Sequence, residues 1–285
     1  PAPEVSVITI LYQDHLNRHT TMKNYAFAKS AVFRNQTVNQ HLVLNYDNEW
    51  TRFFIKQKPR GHIWFFSLKS LPKKNNGVFC KDRIIYFQDS DQIKVAANVG
   101  SFVERWGEHN FANLLASSLA AYLAGVTWNK IQQKIKTLPQ IPFRQETVFE
   151  NRRLKIINDT SATSPDGGIA AIKRFASPSM ILITGGTDRE LDYGEWAKTV
   201  KKKLKPENII FLEGSATEKM IKELRSKRYE LKVGKTLKEC VTDALETAGK
   251  YPKSVILFSP AAKSFEKFKN EFDRGQQFNL LVKKL

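Results

Sequence analysis

Asn158-Asp159-Thr160-Ser161-Ala162-Thr163-Ser164-Pro165-Asp166 is the stretch on which the fold turns. An apolar strand pattern, Leu154 to Ile157, runs into it, and a helical pattern, Gly168 to Phe175, runs out of it. Polar side chains are thereby gathered at the carboxyl end of a strand and the amino end of a helix. Open α/β sheets bind ligands in that crevice, and the unbonded N–H groups of a helix start attract anions. At this level Asp159 and Thr163 suit plain helix caps equally well.

Downstream the same rhythm repeats. Strand signals at 145–149, 153–158, 179–184, 208–213, 229–233 and 254–259 alternate with helix signals at 165–175, 194–204, 216–227, 236–248 and 264–284. Such alternation means βαβ crossovers and a mainly parallel sheet. Upstream, the β-branched run within Glu4 to Leu11 reads as a buried strand, as though a sheet were entered midway. A helix over Met22 to Phe33 follows, then strands at His41–Asn45 and Ile63–Ser67 around a short helix from Trp50 to Ile55. Gly77 to Gln88 and Ile93 to Val99 read as an antiparallel patch. Helices from Gly107 to Gly125 and from Thr127 to about Leu138 close this part. Pro139-Gln140-Ile141-Pro142 breaks regular structure and divides the α/β chain into 1–141 and 142–285.

A chain of 285 residues suits about two domains, and 41% hydrophobic residues are enough to build their cores. No run approaches the roughly 18 apolar residues of a membrane span. The two cysteines, Cys80 and Cys240, make neither a disulfide framework nor a metal motif, which suits a reducing cytoplasm. The net charge of +18 raises nucleic acid as a partner. Divided after Arg144, however, it splits into +10 and +8, with no basic tail or finger motif. It reads as a solvated lysine-rich surface that helps draw anionic substrates, with no nucleic-acid or membrane partner and a monomeric chain.

The motifs resemble those of one family, the Mur ligases of peptidoglycan synthesis. Asp14-His15-Leu16-Asn17-Arg18-His19 is similar to that family's Asp-His-x-Asp/Asn-Arg segment, and Tyr25-Ala26-Phe27-Ala28-Lys29 to its Tyr-x-x-Ala-Lys helix. Gly107 to Asn113 resembles Gly-x-His-Asn-x-x-Asn, and Pro142-Phe143-Arg144 resembles Pro-His-Arg. Asn158-Asp159 with Ala162-Thr163, then Gly185-Gly186 with Asp188, and Ser259-Pro260-Ala261 through Arg274-Gly275 complete the set in order. The resemblance implies a partial central ATPase-type sheet domain followed by a Rossmann-like C-terminal domain that binds the amino acid.

The implied reaction moves the terminal phosphoryl of ATP onto a carboxylate of a nucleotide sugar, and an amino acid's amine then attacks the acyl phosphate. The branch it most resembles adds D-glutamate to UDP-N-acetylmuramoyl-L-alanine in the cytoplasm. Phosphoryl transfer needs positioned cations. By resemblance His15 would hold Mg2+, and Lys29, carbamylated, would be a second ligand. His109, Asn110, Asn113, Arg144 and Asp159 would hold ATP, while Ser161, Thr163, Arg189 and Ser264 would line the amino-acid pocket. Without the resemblance His15 reads as a turn histidine, Asn110 as a helix cap, Arg144 and Arg189 as surface charges, and Gly185-Gly186 as a tight turn.

Departures from the family pattern are also legible. No Gly-x-x-x-x-Gly-Lys-Ser/Thr phosphate loop occurs within these residues. The chain is therefore expected to be a fragment that cannot turn over ATP alone, or else a non-catalytic binding module. Ser161 stands where the family has Lys, Arg189 where it has Lys, Glu271 where it has Phe, and Ala262-Lys263 where it has Cys-Ala. The changes at Ser161, Arg189 and Glu271 fall where the amino acid would bind and imply an altered amino-acid preference or weakened activity.

Overall fold

The protein, described by a computed structural model over residues 2–12, 19–100, 102, 106–224 and 231–284 but for the side chains of Glu108 and His109, divides after Pro139 into two compact units. In the first, β1 (Val5–Ile8), α1 (Met22–Lys29), β2 (His41–Asn45), α2 (Thr51–Lys56) and β3 (His62–Ser67) precede β4 (Gly77–Lys81), β5 (Ile84–Asp89) and β6 (Gln92–Asn98). Helices α3 (Glu108–Leu123) and α4 (Trp128–Lys136) follow. The sheet runs β1 to β6 in chain order, with β1 to β4 parallel and β4, β5 and β6 antiparallel.

Buried residues on both faces explain the unbroken apolar strands. Val43 packs with Phe111, Leu115 and Leu119 of α3, whereas Leu42 and Leu44 belong to the opposite cluster with Tyr25 and Phe54. The pattern Phe111, Leu114, Leu115, Leu119 is one face of a 3.6-residue helix, which decides the seating of α3. The helix expected over Met22 to Phe33 ends at Lys29. There the Ser30 hydroxyl donates to Phe27 O at 2.6 Å and the chain tightens into a 3-10 turn, Ser30–Val32, a local bond that competes with the α-helical ladder.

The second unit contains β7 (Glu146–Glu150), β8 (Leu154–Asn158), α5 (Pro165–Phe175), β9 (Met180–Thr184), α6 (Gly194–Lys203) and β10 (Ile209–Leu212). It continues with α7 (Ser215–Leu224), β11 (Lys232–Gly234), α8 (Leu237–Gly249), β12 (Ser254–Phe258) and α9 (Glu271–Val282). Strand order is β11-β10-β9-β12-β8-β7, parallel except for β7. The pleat sorts each strand between two cores. Ile157, Met180, Leu182, Phe211 and Leu257 face Trp196 and Met220, while Ile156, Ile181, Ile183, Ile210 and Phe258 face Val241 and Phe278.

Because β12 inserts between β8 and β9, the crossovers leave β8 and β9 outward on opposite sides of it. That is the topological switch point, and the loops after β8, β9 and β12 meet at its carboxyl edge. The helix expected over 264–284 begins only at Glu271, because Asn270 accepts from the N–H groups of Phe272 and Asp273 and so caps α9. Residues 259–270 thus stay loop at the switch point.

Candidate functional site

The parallel strands carry the Asn158-Asp159 pair into the second unit's crevice. Asn158 Nδ2 donates to Gly275 O at 2.9 Å and Asn279 Oδ1 at 2.6 Å, tying the end of β8 to α9. Asp159, 5% exposed, accepts from Ser259 Oγ at 2.8 Å on one carboxylate oxygen and from Gln145 N at 3.1 Å on the other. Burial pushes its pKa up to about 7, opposed by those two hydrogen bonds and by the charges of Arg144 and Arg174. Arg174 donates to Gln145 Oε1 at 2.7 Å, so Asp159 and Arg174 together hold the 144–145 turn. Arg144 itself is exposed.

Below this turn lies Arg274, wholly buried. Its Nε donates to Thr160 Oγ1 at 2.9 Å, and its terminal nitrogens reach Thr160 O at 2.9 Å and Ala262 O and Lys263 O at 3.1 Å. One planar fork thereby clamps the loop after β8 to the loop after β12. Burial lowers the Arg274 pKa to about 9. The loop after β9 joins through backbone bonds in both directions between Thr187 and Lys263, at 2.9 and 3.1 Å. Gly186, with φ +142°, lies where a Cβ would come within 2.5 Å of Lys263 O, so the Gly185-Gly186 pair is a close approach of backbones.

Among the amino-acid pocket residues expected from sequence, Thr163 accepts a 2.9 Å bond from Lys263 Nζ. Ser264 is 3% exposed, and its hydroxyl has no hydrogen-bond partner among the described residues. Arg189 lies over the Phe265 ring, 5.1 Å from its centroid. Ser161 is half-buried and its N–H donates to Phe143 O at 3.1 Å. The loops thus bring Thr163 and Ser264 to Lys263, which sequence reading noted only as a departure. Arg274, Ser259, Gln145 and Arg174 are not singled out as site residues by sequence, because these partners lie 14 to 114 residues away.

In the first unit, Lys29 ends α1, exposed, with its Nζ 5.3 Å from the centroid of the Tyr25 ring. His15 and the His109 side chain lie outside the described residues. Asn110 Nδ2 donates to Trp106 O at 2.8 Å, and Asn113, one turn on, is exposed. Among the described residues no group of three or more His, Cys, Asp and Glu side chains gathers as a metal cage, so a divalent ion held here would depend on phosphate and water oxygens as well. No helix among them is long and apolar enough to cross a membrane.

Gly234-Lys235-Thr236 forms the end of β11 and the start of α8, the tail of a phosphate-loop pattern. A carboxylate of the chain itself occupies the anion's place: Glu239 accepts from Lys235 N at 2.9 Å and Thr236 Oγ1 at 3.1 Å, and Thr236 caps Glu239 N in return. This is a capping box.

Comparison with known proteins places the chain. Residues 2–121 match the Mur ligase middle domain. The UDP-N-acetylmuramoylalanine--D-glutamate ligase of Caldanaerobacter subterraneus is 34% identical over 98% of this chain and 60% of its own length. That of Thermoanaerobacter sp. is 35% identical over 99% of this chain and 61% of its own. The chain thus spans about three fifths of these relatives. Solved structures show the same fold: MurF of Acinetobacter baumannii (TM-score 0.71, 14% identity, 99% of this chain, 59% of that one) and MurF ligase of Thermotoga maritima in complex with ADP (0.69, 16%, 100%, 64%).

Proposed function

We propose that the chain belongs to the Mur ligase family, whose middle domain its residues 2–121 match, and that it is the ATP-binding and amino-acid-binding part of a ligase that joins D-glutamate to UDP-N-acetylmuramoyl-L-alanine. The observation that carries this reading is the second unit's carboxyl-edge crevice, where the loops after β8, β9 and β12 set Thr163 beside Lys263 and bury Ser264 next to it. Hydroxyl and ammonium donors there suit an acidic amino acid, and the 34–35% identity with D-glutamate ligases supports the same substrate.

In the reaction so read, ATP's terminal phosphoryl passes to the alanyl carboxylate with release of ADP. The amine of the amino acid then attacks the acyl carbon, and phosphate leaves as the amide forms. Mg2+, held in part by His15 and a carbamylated Lys29, would neutralise the phosphate charge. Asn110 and Asn113, one helical turn apart on α3, would meet adenine through their amides, beside His109. Arg144, exposed on the turn that Asp159 braces, would lie along the nucleotide. Loops fixed by Arg274 would hold the amino acid in one orientation, which saves ordering entropy at the reacting centre.

These 285 residues by themselves are proposed to bind without turning over ATP, since none of them completes a Gly-x-x-x-x-Gly-Lys-Ser/Thr phosphate loop. A second reading, altered amino-acid preference, is favoured by Ser161, Arg189 and Glu271. The test is amino-acid-dependent ADP release by the polypeptide as its source cell makes it, with UDP-N-acetylmuramoyl-L-alanine and each of D-glutamate, L-glutamate and D-aspartate. Release with D-glutamate alone supports the main reading, and release with another acid supports the second. No release with any amino acid defeats both.

A further inference from the structure

Helix α9 carries two stripes of side chains. Arg274, Phe278 and Val282 recur every fourth residue and are buried in the second unit. Gln277, Leu280, Leu281 and, just past the helix end, Lys284 recur at the i, i+3, i+4, i+7 spacing of a second packing face. That face lies open: Gln277, Leu280 and Lys284 are exposed, Leu280 at 54%. The first turn of α8 stands beside it, and the two helices wall a groove of about 540 Å³. Leu237, Phe268 and Leu281 give the groove an apolar floor, and Phe268 and Leu281 pack inward against the cluster of Val241 and Phe278, so the fold fixes that floor. One exposed leucine on a surface is ordinary. A leucine at helix-packing spacing over an apolar floor is the surface that receives an amphipathic helix.

The rim of the groove is cationic. Lys235, Lys238, Lys267 and Lys284 reach it from three stretches of chain, and no acidic side chain lines it. The neighbouring acids are already committed. Glu213 accepts from Lys267 Nζ at 2.9 Å, Glu239 accepts from the Lys235 N–H and the Thr236 hydroxyl, and Asp273 accepts from the Lys269 N–H and the Gln277 amide. The ammonium groups of Lys238 and Lys284 make no hydrogen bond or ion pair among the described residues. Lys238 also stands in the first turn of α8, where the helix dipole disfavours a cation. Like charges around one groove repel, and a partner that brings negative charge relieves them. Two copies joined through this groove would set lysine against lysine. A nucleic-acid backbone would meet the lysines but leave the apolar floor uncovered.

We propose that the groove between α8 and α9 is a docking site for an acidic amphipathic helix of a partner protein, with its apolar residues seated on Leu280 and Phe268 and its carboxylates meeting Lys238 and Lys284. From Gln277 to Lys284 the face runs roughly 10 Å, about two helical turns, so the partner supplies apolar anchors one turn apart. The proposal does not depend on the ligase reading.

Fluorescence anisotropy with the polypeptide as its source cell makes it tests this, using a labelled peptide of about 14 residues that repeats Glu-Leu-Glu-Glu-Leu-Leu-Glu. The wild type should bind it, and should bind the same peptide with Ser in place of Leu about tenfold more weakly or worse. Leu280→Asp, and separately Lys238→Glu combined with Lys284→Glu, should each weaken binding by about tenfold or more. All three side chains are exposed, so the melting temperature should not move, which reports that the variants are folded. Lys202→Glu combined with Lys203→Glu makes the same change of net charge on the exposed end of α6 and should leave binding as it was. No binding by the wild type, or binding indifferent to Leu280→Asp, overturns the proposal. An equal loss from the α6 pair reduces the effect to general charge attraction and also overturns it. Self-association of the wild type that Leu280→Asp abolishes assigns the face to a second copy and overturns the acidic partner.

Discussion

At the scale of single residues, the second unit spends two buried charges on loop geometry. Arg274 makes its hydrogen bonds to one hydroxyl and three carbonyls, so its charge is dispersed over backbone dipoles where a salt bridge would otherwise serve. Asp159 is the complementary case, with an acid pKa raised by burial from 3.8 to about 7. Between those values the folded chain holds a proton that the unfolded chain has released. Stability from this group is therefore full below about pH 4 and falls as pH rises through about 7, by on the order of 4 kcal/mol at the limit. Asp159→Asn keeps an oxygen for Gln145 N–H and a donor for Ser259 but does not titrate. In urea unfolding between pH 5 and 8, the wild type should lose stability relative to Asp159→Asn as pH rises. Parallel profiles would mean that Asp159 is already ionised throughout. Both residues stood in motifs visible in sequence, Asn158-Asp159 and Arg274-Gly275, but their burial and bonding partners depend on chain segments brought together from far apart.

At the scale of elements, the site depends on where helices do not extend. Apolar spacing is compatible with a helix from 264 onward, and only the Asn270 cap delays α9 to Glu271. A cap acts over two or three residues while periodicity averages over a dozen, so the pattern overran the loop that carries Lys263 and Ser264. Gly186 is the matching device after β9, where backbones of two loops cross. Gly186→Ala would place a methyl 2.5 Å from Lys263 O in a backbone conformation strained for an L-residue. The variant should lose about 2–4 kcal/mol of stability. Its amino-acid KM should rise beyond what the same destabilisation achieves when introduced in the first unit, for example by Phe54→Ala. Equal KM values in the two variants would separate this crossing from the pocket.

At the scale of the molecule, each unit buries its own pair of apolar clusters on the two faces of its own sheet. Each therefore has the means to fold cooperatively. Calorimetry should resolve two transitions, and Trp196→Ala, which empties a fully buried site in the second unit, should lower one of them by the equivalent of about 3–5 kcal/mol and leave the other in place. A single transition moved as a whole by that variant would mean that the units unfold as one. The even spread of positive charge over both parts is not what closes these cores, which are held by apolar burial, with the buried Arg274 bonding the loops of the second unit.

Periodicity alone determined the alternating strands and helices of the second unit and the antiparallel patch of the first, because pleat and helix pitch act within a few residues. The order of motifs likewise carried the resemblance to the Mur ligases, since each motif is a short run of neighbours. Tertiary structure decided the rest: that β12 inserts between β8 and β9, that Arg274 reaches back to Thr160, and that a lysine appearing as an isolated departure lies beside Thr163. Those contacts span about 100 residues of chain. They exist only because crossovers fold the loops after three separate strands onto one edge, and no local preference encodes the meeting point.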